Sequence, residues 1–132
     1  MSTDQTKRKE LMRRWIEALN ARDLSQLDEL AEEITHKDCI VHDPSSPAIA
    51  GRGPAVWKEF AHGIVTANSH IHMTIEDFFG EGDRTAARLA VHTTSASTGK
   101  TVSFLVLFIS RWVGDKVAEE WELVGPPEEQ AQ

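Results

Sequence analysis

Three glutamates surround one tryptophan in the segment KVAEEWELVG, Lys116 to Gly125, and carboxyl groups in an apolar strand can carry protons. Side chains alternate across a strand, so Val117, Glu119, Trp121 and Leu123 share one face while Ala118, Glu120, Glu122 and Val124 share the other. Glu119 is thereby the odd acid among apolar neighbours. If that face lines a pocket, burial raises the pKa of Glu119, by up to ~3 to 5 units for a fully buried acid, which suits a general acid or base. The structural alternative is an ion pair with Arg88 or Arg111 on a neighbouring strand. Glu120 and Glu122 read as exposed.

Other polar groups are weaker candidates. Arg88 and His92 share one strand face, and Arg88 either orients a substrate oxygen or pairs with Glu119. His70 and His72 form an H-x-H pair that binds zinc only if a third ligand converges. No Cys-x-x-Cys or His-Glu-x-x-His accompanies it, so an exposed polar face is the simpler reading and no metal is assigned. No Gly-x-Ser-x-Gly elbow, phosphate loop or dinucleotide fingerprint occurs. Trp15, Trp57, Phe60, Phe104 and Trp121 lie on the inward stripes of their elements and favour a flat, largely apolar ligand. Core packing is the alternative for each one.

The elements that must position these residues follow from periodicity. Leu11, Met12, Trp15, Ile16 and Leu19 recur at helical spacing and predict a helix from about Asp4 to Asn20. Asp23 and Gln26 resemble a capping box opening a second helix, whose stripe is Leu24, Leu27, Leu30, Ala31 and Ile34. A short strand, Cys39 to His42, leads into the Pro- and Gly-rich loop DPSSPAIAGRG, in which Asp43 reads as a turn residue. Pro54 then suits the first turn of a third helix, with Trp57, Phe60, Ala61 and Ile64 on one face as far as about Asn68. Beyond Asn68 the period becomes two, and turn signals divide the chain into strands His70 to Phe79, Arg84 to Ser95, Thr101 to Val113, and Lys116 to Val124. Short turns make these an antiparallel meander, giving an α+β architecture with helices on one face of the sheet.

The strand Thr101 to Val113 is apolar on both faces, with Val102, Phe104, Val106 and Phe108 on one and Leu105, Leu107 and Ile109 on the other. Helices can shield only one face. The other calls for a second copy of the chain, so a homodimer is expected.

At 132 residues the chain fits one domain, large enough for a core and a small pocket. The net charge of -7, with 14 lysines and arginines scattered among 21 acids, argues against nucleic acid. No apolar run approaches the ~20 residues of a membrane-spanning helix, and MSTDQTKRKE lacks the apolar stretch of a signal peptide. The single cysteine, Cys39, reads as a buried thiol. A cytoplasmic protein is the expectation.

In order and spacing the segments WIEALNARDLSQLDEL, VHDP, GRGPAVWKEF, IEDFFGEGDRTAARLAVH, TGKTV and GDKVAEEW resemble the SnoaL-like polyketide cyclases, within the nuclear transport factor 2-like superfamily. The resemblance covers nearly the whole chain. It implies a conical barrel in which a curled antiparallel sheet wraps on three N-terminal helices, over residues 1–125, with 126–132 a flexible tail. It also implies a deep pocket between sheet and helices. Cyclases of this type use neither metal nor organic cofactor, and one side chain moves a proton beside a ketone while others hold the enolate. His42 stands where the family has a histidine facing the cavity mouth, which makes it the proton partner of Glu119. Its alternative is to tie down the loop from Asp43 to Gly53. The family pattern has an aspartate four residues beyond the tryptophan, where this chain has Gly125.

Two readings follow. The first is a cofactor-independent enzyme of cyclase or isomerase type, acting on a small apolar carbonyl compound through Glu119 and His42. The second is a non-catalytic ligand-binding or dimeric scaffold of the same fold.

Overall fold

In the computed structural model, residues 3–43 and 52–130 are described. The chain forms α1 (Thr3–Ala21), α2 (Leu24–Ile34), β1 (Thr35–His42), α3 (Pro54–Ala67), β2 (Asn68–Glu81), β3 (Arg84–Ser95), β4 (Thr101–Val113), β5 (Lys116–Val124) and the short β6 (Glu128–Glu129). The expected α+β class holds. The sheet is curled and unclosed, with strand order β1-β5-β4-β3-β2. Strands β2 to β5 pair as an antiparallel meander. Strand β1, longer than its sequence pattern suggests, adds to β5 in parallel.

Local chemistry sets the helix boundaries. The Asp23 carboxylate accepts from the Gln26 amide at 3.1 Å, satisfying one of the free donors at the start of α2. At its other end, Lys116 Nζ donates to the carbonyls of Glu32 and Glu33 at 2.8 and 2.9 Å, where a cation also complements the helix dipole. Gly53 precedes Pro54 with φ +76°, and a Cβ there would lie 2.4 Å from the Lys37 carbonyl oxygen. Only glycine lets the chain pass so close to β1 before α3 begins.

All three helices pack on one face of the sheet. Leu11, Trp15, Leu19, Leu30, Ile34 and Trp57 meet Ile71, Val91, Trp112 and Val117 in a single core. Buried Arg8 fastens α1 to the β2–β3 turn. Its guanidinium donates to the Gly82 carbonyl at 2.8 Å and lies 5.6 Å over the Trp112 ring. On the opposite face of β4 and β5, Leu105, Leu107, Ile109 and Leu123 are 45–60% exposed.

Near the end of the described residues, Glu128 and Glu129 pair with Ser103 and Val102 of β4. This segment extends the sheet where β5 ends, since Val124 is opposite Val106. Among the described residues no helix is long and apolar enough to cross a membrane.

Candidate active site

Between the helices and the sheet lies a cavity of about 280 Å³. Helix α1 lines it with Met12, Trp15, Ile16 and Leu19, at the spacing that turns one face inward. Helix α3 contributes Val56, Trp57, Phe60 and Ile64, and the Trp15 and Trp57 rings meet at 5.0 Å. The sheet supplies Leu89 and Val91 from β3 and Phe104, Val106 and Phe108 from β4. Against this apolar wall stand three carboxyl groups, Asp43 at the end of β1 and Glu120 and Glu122 on β5.

The two glutamates face inward because of a β-bulge. Val117 is opposite Trp112, but Arg111, the next residue along β4, is opposite Glu119, so Ala118 is an extra residue without a partner. A bulge reverses the alternation beyond it. Val117 points to the core, and the inward series resumes at Glu120, Glu122 and Val124. Glu119, Trp121 and Leu123 turn to the outer face. The face assignment from strict alternation is therefore corrected by one unpaired alanine.

Burial pushes the Glu120 carboxyl well above the ordinary carboxylate range, and the negative charges of Glu122 and Asp43 reinforce it. A long hydrogen bond donated by the Ser110 hydroxyl, at 3.5 Å, acts in the opposite direction. Burial and the Asp43 charge push Glu122 up to about 7. Residues 120 and 122 are about 7 Å apart along the strand, close enough for the Glu122 charge to act on Glu120.

Among the residues singled out from sequence, Trp15, Trp57, Phe60 and Phe104 line the cavity. Glu119, His42, Trp121, Arg88 and His92 do not. Glu119 accepts from His42 Nε2 at 2.7 Å and from Arg111 Nη2 at 3.4 Å. The hydrogen bond from His42, and after it that from Arg111, holds the Glu119 carboxyl below its ordinary range. Its pKa thus moves opposite to the rise expected in an apolar wall. His42 also stacks on Trp121 with centroids 5.4 Å apart, and Arg84 lies 5.2 Å from the Trp121 ring.

Arg88 pairs with Asp77 at 2.7 Å, and His92 is opposite His72 across β2 and β3. Among the described residues no group of three or more His, Cys, Asp or Glu is placed to hold a metal ion. Cys39 is fully buried, and burial pushes its thiol up to about 12, which keeps it protonated and inert. The carboxyl groups that line the cavity, Glu120 and Glu122, are the ones that strict alternation places on the exposed face. The two buried residues in succession, Val117 and Ala118, are the mark of the bulge in the structure.

A helix-lined, curled sheet enclosing an apolar cavity defines the nuclear transport factor 2-like class. Residues 9–125 match the SnoaL-like polyketide cyclase family, and the chain belongs to that family. None of the curated proteins matches the sequence. Among solved structures, the chain is similar to a candidate SnoaL-like polyketide cyclase from Jannaschia sp. CCS1, with a TM-score of 0.79, 13% identity, and coverage of 94% of this chain and 89% of the other. TsrD from Streptomyces laurentii gives a TM-score of 0.77 at 18% identity, covering 93% and 91% of the two chains. AclR, a candidate hydroxylase from Streptomyces galilaeus, gives 0.73 at 23% identity, covering 92% and 80%. At these identities the likeness speaks for the fold alone.

Proposed function

We propose that the protein binds a small, flat, apolar carbonyl compound in this cavity and moves a proton next to the carbonyl by general acid and base catalysis. The observation that carries the reading is the Glu120 and Glu122 pair, side by side in a wall that is otherwise nearly all apolar. One member, as carboxylate, takes a proton from the carbon beside the carbonyl, and the electron pair moves onto the carbonyl oxygen. Its neighbour, kept in the acid form, donates a hydrogen bond to the resulting enolate. Returning the proton to a different carbon gives isomerisation, and attack of the enolate on a second carbonyl gives ring closure. Glu119 and His42, paired on the outer face, have no part in this scheme.

The test is deuterium exchange into an aromatic methyl ketone such as acetylnaphthalene, followed by mass spectrometry in heavy water. Wild-type protein should accelerate exchange beyond buffer, and Glu122→Gln should remove the acceleration. Binding without any accelerated exchange in the wild type, across a panel of aryl and steroid ketones, would sink the catalytic reading. It would favour the second one, a ligand-binding scaffold.

We also propose that a second copy covers the outer face of β4 and β5. Leu105, Leu107, Ile109 and Leu123 form an exposed apolar strip beside Trp121 and Arg84, and Trp and Arg are residues that dominate the centres of protein interfaces.

A further inference from the structure

We infer that the ligand of this cavity carries a protonated amine on its flat apolar body, held against Glu120, Glu122 and Asp43; the inference rests on the reading of the cavity as the ligand site. The ionisable groups that face the cavity are all acids. From β1 comes Asp43 and from β5 come Glu120 and Glu122, whereas α1, α3, β3 and β4 contribute no ionisable side chain to the wall among the described residues.

An anionic ligand would therefore enter a weakly screened space lined by three carboxyl groups and, among the described residues, by no lysine, arginine or histidine. Like charges in such a space repel far more strongly than in water. A cation has the reverse experience. It restores the carboxylate form of the acid beside it, and binding then releases a proton to solvent. Trp15, Trp57 and Phe60 also line the cavity, and aromatic rings attract cations. The same logic bears on the proposed chemistry, because an enolate forming here faces no lysine, arginine or histidine among the described lining residues. An ammonium on the substrate would supply that charge.

The experiment compares three probes sharing one ring system, naphthylmethylamine, acetylnaphthalene and naphthoate, by titration calorimetry on the full chain at about pH 8, where the amine is charged. The amine should bind at least about tenfold more tightly than the ketone, and naphthoate more weakly than both. Its binding heat should differ between buffers of low and high ionisation enthalpy, which reports proton release. The Glu120→Gln, Glu122→Gln double variant should lose the amine preference while still binding the ketone. Ketone and amine of equal affinity, or a preference for naphthoate, overturns the inference and leaves the cavity reading standing. Absence of binding by all three probes overturns both. Failure of deuterium exchange removes the catalytic reading without touching the amine preference.

Discussion

The Glu119 carboxylate accepts a 2.7 Å hydrogen bond from His42 Nε2 across parallel strands, on the face of the sheet turned away from the cavity. The pair joins β1 to β5 and orients His42 against Trp121. His42 is 44% exposed at its side chain, so solvent screens the interaction. Glu119→Gln is expected to cost about 1 kcal/mol or less in urea denaturation, and to leave deuterium exchange at the wild-type rate. The Glu119 pKa is depressed in the fold, so its contribution is present above its ordinary value and lost as pH falls through the folded value. Loss of exchange in a folded Glu119→Gln protein would return the chemistry to the outer face.

The Glu122 carboxyl behaves in the opposite sense. Its value rises from 4.5 to about 7 in the fold, so between these limits the folded state holds more protons than the unfolded chain. Stability must then fall as pH rises through that window. Glutamine has the same shape and no charge to bury. Glu122→Gln is expected to be more stable than wild type by about 2 to 3 kcal/mol above pH 7, with the difference vanishing near pH 4.5. Thermal or urea unfolding across this range reads it directly, and a pH-independent difference would contradict the assignment. A residue that destabilises the fold at neutral pH while occupying the cavity wall fits the trade between stability and activity at functional sites.

Most of the fold was legible because periodicity reports which face is buried. The bounds of β3, β4 and β5 coincide with those expected from turn signals, and the helices agree within a residue or two. The inward aromatic stripe of α1 and α3 was legible for the same reason. Two features were not. The parallel pairing of β1 with β5 joins residues some eighty positions apart, and no local signal carries that. The second is the bulge at Ala118. Alternation is a relative measure, so one unpaired residue transfers every later side chain to the other face. Glu120 and Glu122 exchanged places with Glu119 and Trp121 on that account alone. Alanine at the bulge carries no sequence signature of the kind a glycine would give.

The outer strip on β4 and β5 gives a prediction about assembly. Leu107 and Ile109 are 50% and 45% exposed, and their side chains lie on the face opposite the helices, so charging them leaves the core untouched. The wild-type chain is expected to elute as a dimer in size-exclusion chromatography with light scattering. Leu107→Glu combined with Ile109→Glu should elute as a monomer with an unchanged circular dichroism spectrum. Buried against a second copy, two glutamates would bring unpaired charges into a desolvated interface, at a cost of several kcal/mol. A wild-type monomer at high concentration would show that the strip has another use.

Gly125 allows the family comparison to be tested by reversal. Its amide donates to the Leu105 carbonyl at 2.7 Å, and a Cβ at this position would lie 3.2 Å from that same oxygen. A side chain there forces β4 and the end of β5 to separate by a few tenths of an ångström. Alternation beyond the bulge also places position 125 with Glu119, Trp121 and Leu123, since Val124 is the residue that lines the cavity. Gly125→Asp is therefore expected to destabilise the protein by about 1 to 2 kcal/mol, measured by urea denaturation, and to leave the exchange rate with acetylnaphthalene unchanged. An increase in that rate would mean that a carboxylate at 125 reaches the ligand, and that the chain lacks a group its relatives use. An unchanged rate in a weakened protein would instead mark Gly125 as the residue that lets β5 hug β4, with Glu120 and Glu122 as the acids the cavity works with.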